Sequence, residues 1–248
     1  MNRSVAATAA RDFPYYRGEP VRLSASQWLL VLALTAAGFA ALVGLPSLWP
    51  NRVAVWTGTA LFVALPLVGL RLVAGRAWTA LFHRPTARDV WIGLGCTVLC
   101  LATSVVVALV VTNRLAAASN PAVAALAHDS PLDVALFYAQ TAPQLLGEEL
   151  VTIVPLLAIL SLMTAAGAPR WLAILVAWLA TGVIFGLLHL PTYDWNLVQA
   201  VTVIGSARLA LSVAYLATRN VWASTIAHVA NDWTLFTTVV LLPAATTL

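Results

Sequence analysis

Lysine is absent from this sequence, and charged residues of every kind are scarce. Only 9% of the 248 residues are charged whereas 61% are hydrophobic, and the mean hydropathy is +0.91. So little polar surface excludes an ordinary water-soluble domain and indicates a polytopic membrane protein. The thirteen basic residues are all arginines, and most stand near the ends of apolar stretches. Because this distribution is typical of membrane topology, we do not expect a nucleic-acid partner.

Cysteine is also scarce. Cys96 and Cys100 are the only two cysteines, and they stand four residues apart within one apolar segment. No further metal-ligating residue lies near them in the sequence, so the pair does not indicate a metal site. We predict that both are small buried hydrophobic residues on one helix face.

Long apolar runs predict an all-α fold, a transmembrane helical bundle of seven to eight spans. The runs are 27–48, 53–73, 90–112, 132–166, 171–190, 197–217 and 221–243. The fourth is too long for one ordinary span of about 20 residues, and Pro143 and Gly147 would divide it in the eight-span version. We divide the chain into an N-terminal arm at 1–24, motif-free helices at 25–130 and a catalytic core at 131–248.

The arginines predict the orientation of the bundle. In the seven-span arrangement one side holds Arg3, Arg11, Arg17, Arg22, Arg71, Arg76, Arg84, Arg88, Arg170 and Arg219, and the other holds Arg52 and Arg114. Since positive residues concentrate in cytoplasmic loops, the first side and the N-terminus are expected to be cytoplasmic. We expect the arm 1–24 to be disordered or to lie at the membrane interface.

A pair of carboxylates stands inside one of the most apolar stretches. Glu148 and Glu149 lie between two long runs of hydrophobic residues. A carboxylate at membrane depth costs at least about 2.5 kcal/mol, so such residues are usually retained for chemistry or ion handling. Adjacent residues point about 100° apart on a helix, so we expect only one of the two to face water directly.

Further polar residues follow at membrane depth. They are His189, Arg208, His228, Asn231 and Asp232. A carboxylate in a dry pocket can act as a general base, and histidines and an amide can hold water or stabilise an oxyanion. The set therefore has the groups that water activation requires.

Three motifs stand in order on separate apolar helices. They are Glu148-Glu149, Phe185-x-x-x-His189 and His228-x-x-x-Asp232. Together they resemble the CPBP intramembrane proteases, which include the type II CAAX prenyl endopeptidases and bacterial abortive-infection-like proteins. The resemblance covers about 140–235. It implies an endopeptidase that hydrolyses peptide bonds of membrane-associated substrates, here in the cytoplasmic membrane of a bacterium.

The resemblance also implies roles for individual residues. Glu148 would activate water together with His189, while His228 and Asp232 would stand on the oxyanion side. Phe185 and Asn231 would support this site, and Glu149 would complete the acidic pair. A metal-dependent scheme is also open, because zinc needs about three protein ligands and Glu148, His189 and His228 could supply them. The cofactor is therefore either none or zinc.

One position departs from the family pattern. The first family motif is E-E-x-x-x-R, and Ile153 stands where the arginine is expected. That arginine normally balances the second glutamate. We propose that Arg208 replaces it, since an unpaired arginine in the middle of a span would be costly. The alternative is that Arg208 lies at a span boundary and reaches the interface.

Two other functions remain open at this level. A non-catalytic scaffold, or a protein of the bacteriocin-immunity type, could retain the same polar core, and the missing motif arginine favours it. A proton-coupled transporter could use Glu148 and His189 as a relay. For the protease, the expected partners are a membrane-protein or peptide substrate and the lipid bilayer, and no residue indicates recognition of a prenyl group.

Overall fold

The computed structural model describes residues 11–112, 118, 120–126 and 128–241, and these residues fold into helices with no strand among them. The long helices are α1 (Ala25–Leu48), α2 (Arg52–Ala74), α3 (Ala87–Thr112), α5 (Pro131–Ala165), α6 (Arg170–Leu188), α8 (Gly205–Thr218) and α9 (Val221–Leu241). The short helices are α4 (Pro121–Leu126) and α7 (Leu197–Gln199), and a π-helical segment, Ala200–Ile204, joins α7 to α8. Two 3₁₀ turns cover Gly75–Leu81 and Leu190–Tyr193.

Within the described residues, six helical segments are long and apolar enough to cross a membrane. They are Ala25–Leu48, Arg52–Leu81, Ala87–Val107, Pro131–Ala165, Arg170–Leu188 and Leu197–Thr218. The predicted all-α membrane fold is confirmed, but the predicted count of seven to eight spans is not. The seventh predicted span corresponds to α9, whose polar residues, His228, Asn231 and Asp232 among them, lower its hydropathy.

The fourth apolar run forms one continuous helix. α5 extends over 35 residues and passes through both Pro143 and Pro155 without ending. The predicted division of this run at Pro143 and Gly147 is therefore wrong. Each proline removes one backbone hydrogen bond, but 72% of the most apolar stretch of α5 is buried inside the protein. Packing against neighbouring helices therefore holds the helix together across both interruptions.

α5 occupies the centre of the bundle. It packs against α1, α2, α6 and α9, while α3 packs against α8 and α9 on the far side. Gly147 allows α2 to come close, because a Cβ atom there would overlap the ring of Phe62. Every helix that carries a motif therefore borders α5 directly or through a neighbour. Cys96 and Cys100 are buried free thiols in the α3–α8–α9 core, as predicted.

The described part of the N-terminal arm is packed into the protein. Phe13, Tyr15 and Tyr16 are no more than 4% exposed and belong to the main hydrophobic core. The guanidinium of Arg219 lies 4.1 Å from the ring centroid of Phe13. Residues 11–24 are therefore ordered, and the alternative of a disordered arm is wrong for them, because three aromatic rings are buried there. Residues 1–10, with Arg3, and Arg114 lie outside the described residues.

Candidate active site

Four helices bring the predicted site residues together. α5 supplies Glu148 and Glu149, the end of α6 supplies Phe185 and His189, α8 supplies Arg208, and α9 supplies His228, Asn231 and Asp232. Arg208, at 1% exposure, and His228, at 3%, are buried, and both contact Glu149. Residues far apart in the chain, such as Glu149 and His228 at a separation of 79 positions, therefore form one polar cluster inside the bundle.

Glu149 is fully enclosed. Its Oε1 atom lies 2.7 Å from Nη1 of Arg208 and 2.9 Å from Nδ1 of His228. Arg208 is further held by Ser212, to which its Nε donates at 3.3 Å, and its guanidinium lies 5.1 Å from the centroid of the Phe185 ring. The predicted ion pair between Arg208 and the second glutamate is present. A buried carboxylate is tolerated here because it has a cation and a histidine as partners.

Ile153 lies elsewhere. It is 1% exposed and belongs to the main hydrophobic core, next to Val154 and Leu157. The arginine missing from the family motif is thus replaced by an isoleucine that packs in the apolar interior, while the charge partner of Glu149 comes from α8.

Glu148 points in a different direction from Glu149. Its side chain is 13% exposed, and its Oε2 lies 3.7 Å from Nε2 of His228. Oδ2 of Asp232 lies at the same distance from this nitrogen, and Asn231 donates to the other oxygen of Asp232 at 2.9 Å. A separation of 3.7 Å is too long for a direct hydrogen bond, so the two carboxylates flank this nitrogen without bonding to it. The expectation that only one glutamate faces an open space is confirmed.

His189 stands at the boundary between α6 and the following turn. Its Nδ1 lies 2.9 Å from the carbonyl oxygen of Phe185, and the two rings are 4.6 Å apart. Because a carbonyl only accepts, Nδ1 carries the proton, so Nε2 of the neutral imidazole has a free lone pair. No ion pair joins His189 to a carboxylate of the described residues. The closest histidine contact of Glu148 is with His228, whereas the sequence pattern assigned His189 to it.

Two cavities meet at this cluster. One has a volume of about 410 Å³ and lies towards α1 and α2; the other, of about 770 Å³, lies towards α3, α4 and α8. Both are lined by the same six residues: Asn120, Glu148, Phe185, His189, Asp232 and Phe236. Arg208, His228 and Asn231 line the larger cavity, and Glu149 lines neither. Glu148, His189 and Asp232 therefore lie where the two cavities join.

A row of amides next to Glu148 was not predicted from the sequence. Gln144 donates to Oε1 of Glu148 at 3.1 Å, and Gln140 donates to Oε1 of Gln144 at 2.7 Å. Gln140 also donates to the hydroxyl of Thr59 on α2 at 2.8 Å. The spacing of four residues between Gln140, Gln144 and Glu148 was the signal that could have revealed them, because such residues share one helix face.

The donors do not fit a zinc site in this arrangement. No group of three or more His, Cys, Asp and Glu side chains in the described parts of the chain is placed to hold a metal ion. The bonds from Nδ1 of His228 to Glu149 and from Nδ1 of His189 to the Phe185 carbonyl leave both Nε2 atoms open, as in histidines that bind a metal, so the misfit lies in the placement of the side chains. The Arg208 guanidinium lies 3.4 Å from Nδ1 of His228. A cation would also meet the positive charge of Arg208, so we derive no step through a metal.

The fold and the cluster define a class, a polytopic helical membrane protein with carboxylates and histidines converging inside the bundle. Within this class the family can be named. Residues 130–234 match the family model described as Type II CAAX prenyl endopeptidase Rce1-like. The match confirms the resemblance that the three motifs carry, and it supports a CPBP family protease over this segment. Neither the curated proteins nor the solved structures include a match to the chain.

Proposed function

We propose that the protein is an intramembrane endopeptidase that cleaves membrane-associated substrates with a water molecule activated by Glu148. The observation that carries this proposal is the convergence of Glu148 and Asp232 on Nε2 of His228, at 3.7 Å each, where two cavities meet. Glu148 is the acid of the pair that borders both cavities, so it is the one that a substrate could reach.

The proposed reaction begins with proton transfer. Glu148 accepts a proton from the attacking water, and the resulting hydroxide oxygen bonds to the carbonyl carbon of the substrate. The carbonyl π electrons move to its oxygen, which becomes a tetrahedral oxyanion. The proton held by Glu148 then passes to the leaving nitrogen as the carbon–nitrogen bond breaks. The products are a carboxylic acid and an amine, so atoms and charge balance.

The neighbouring groups suit supporting roles in this reaction. The free lone pair on Nε2 of His189 can accept a hydrogen bond from the attacking water. On the other side, the side chains of His228 and Asn231 line the larger cavity, and Asn231 and the doubly protonated form of His228, which donates from Nε2, can stabilise the oxyanion. Glu149 and Arg208 act through His228, because Glu149 accepts from Nδ1 and fixes the ring. We therefore assign them positioning roles rather than contact with the substrate.

A cleavage assay tests the proposal. The purified protein, in detergent or in vesicles, is given internally quenched peptides with apolar cores. Glu148→Ala, His189→Ala and His228→Ala are assayed beside the unaltered protein, with and without a chelator. Loss of cleavage in all three variants, with no chelator effect, supports the glutamate scheme. Loss on chelation that zinc restores overturns that scheme in favour of a metal.

The same preparation separates the alternatives. Absence of turnover with every peptide, in a folded protein, favours a non-catalytic scaffold. Proton flux into liposomes that Glu148→Ala abolishes favours a transporter.

A further inference from the structure

A row of side-chain amides leads away from Glu148 along α5, and we propose that it binds the backbone of an extended peptide substrate. The row consists of Gln140 and Gln144, which together with Glu148 line the smaller cavity. The proposal rests on the proposed function, because it identifies how that same site would hold its substrate. It assigns Gln140 and Gln144 to substrate binding on one side of the scissile bond.

Hydrogen bonds fix the orientation of both amides. Nε2 of Gln140 donates to Thr59 at 2.8 Å and to Gln144 at 2.7 Å, so both of its N–H groups are used. Nε2 of Gln144 donates to Glu148 at 3.1 Å. This leaves the carbonyl oxygen of Gln140 as an acceptor, and one N–H group of Gln144 as a donor, with no hydrogen bond to the described residues. A peptide backbone offers the complementary donor and acceptor.

The spacing of the row matches an extended chain. Four residues of α-helix rise about 6 Å, and two residues of a β-strand rise about 6.6 Å. Peptide groups on one side of an extended substrate would therefore meet Gln140 and Gln144 in turn, and the scissile carbonyl would lie near Glu148. An α-helical substrate has its backbone groups already paired, so it could not use this row until it unwound.

The opposite walls of the smaller cavity define the substrate class. They consist of apolar side chains, among them Phe39 and Leu42 of α1 and Val55 and Phe62 of α2. In the part of the chain that the structure describes, Glu148, Asp232 and His189 are the titratable side chains that line this cavity. We infer that the bound segment is apolar and uncharged, with its backbone against α5 and its side chains against α1 and α2.

A cycle of substitutions in both partners tests the proposal. Peptides in which single backbone amides are replaced by esters lose one N–H donor each, without a change in side chains. With the unaltered protein, the ester at one position should lower kcat/KM roughly three- to tenfold, which is the usual effect of one hydrogen bond. In Gln140→Leu this penalty should disappear, because the acceptor is gone.

Two variants keep the outcome clear. Gln140→Met retains the length of the side chain and serves if the leucine variant unfolds; Gln27→Leu, at the start of α1 and outside both cavities, is the matched control. The control should keep the full ester penalty. If the ester penalty is unchanged in the Gln140 variants, the proposal that the amide row binds the substrate backbone is overturned, while the proposed protease function stands. Failure of the unaltered protein to cleave any peptide overturns the proposed function itself.

Discussion

Helices α1 and α5 have nearly the same hydropathy and very different surroundings. The most apolar stretch of α1 has a mean hydropathy of 2.3 and is 22% buried in the protein, whereas the values for α5 are 2.0 and 72%. α1 contains no charged residue, and α5 contains both glutamates of the site. Apolar composition therefore identifies a span but does not reveal whether lipid or protein surrounds it.

The difference explains where charge can stand. A carboxylate facing lipid has no partner, but a carboxylate on α5 is within reach of the helices packed around it. Arg208 from α8 and His228 from α9 meet Glu149 at 2.7 Å and 2.9 Å. The central helix therefore bears the polar cluster because its neighbours supply the opposite charge and the hydrogen bonds.

The largest effect on cleavage is expected for Glu148, the carboxylate of α5 that lines both cavities. Glu148→Gln keeps the shape and the hydrogen bond from Gln144 but cannot accept a proton from water. Cleavage should fall by at least about 10²-fold, the usual contribution of a general base, while thermal unfolding stays close to that of the unaltered protein. Glu19→Gln, at an exposed position of the N-terminal arm, is the control. Activity within a few-fold of normal in Glu148→Gln would remove this residue from the mechanism.

Changes around Glu149, the enclosed carboxylate of α5, should affect the stability of the fold and not only the reaction. Arg208→Met leaves Glu149 buried without its cation, and loss of one partner of a buried ion pair costs about 3–5 kcal/mol. The double variant Glu149→Gln/Arg208→Met should recover part of this loss, because no charge is then left unpaired. Arg71→Met, at an exposed position of α2, provides the comparison. We would measure the free energy of unfolding, and equal losses in the single and double variants would contradict the pairing.

The sequence predicted the polar cluster better than its pairings. Glu148, Glu149 and Arg208 were recognisable because each would be costly in lipid, and that argument needs no coordinates. The contact between Glu148 and His228 was not predictable, since helix packing sets the direction in which each side chain points. The continuity of α5 through Pro143 was missed for the same reason, because neighbouring helices outweigh the local preference of proline. The packing of the N-terminal arm was not predicted, because hydropathy identifies membrane spans and does not show that three aromatic rings outside those spans are buried.

Glycine substitutions compare the two helices directly. At Gly147 of α5 a methyl group would overlap the ring of Phe62, whereas at Gly44 of α1 it would meet nothing within 4 Å. Gly147→Ala should therefore destabilise the protein by about 1–3 kcal/mol, the usual cost of overpacking. Gly44→Ala should be neutral or stabilising by up to about 1 kcal/mol, because alanine favours helix. Equal shifts in unfolding free energy would mean that α5 is not packed more tightly than α1.

The smallest effect is expected where the arm meets the start of α6, at the edge of the buried core. Arg170 donates to both oxygens of Asp12 at 2.6 Å and 2.9 Å, and 41% of the Asp12 side chain is exposed. Burial raises the pKa of Asp12, but the bond from Arg170, the bond from the Phe13 N–H and the charges of Arg170 and Arg17 together hold the pKa below its ordinary value. A pKa lowered by folding stabilises the protein above the unfolded value, about 3.9, and this contribution is lost as the pH falls below it. Asp12→Asn should therefore cost less than about 1 kcal/mol at pH 7, and the difference from the unaltered protein should shrink towards pH 3. Thermal unfolding at both pH values measures this stability difference, with Asp129→Asn as an exposed control. A stability difference that did not depend on pH would contradict the ion pair as its source.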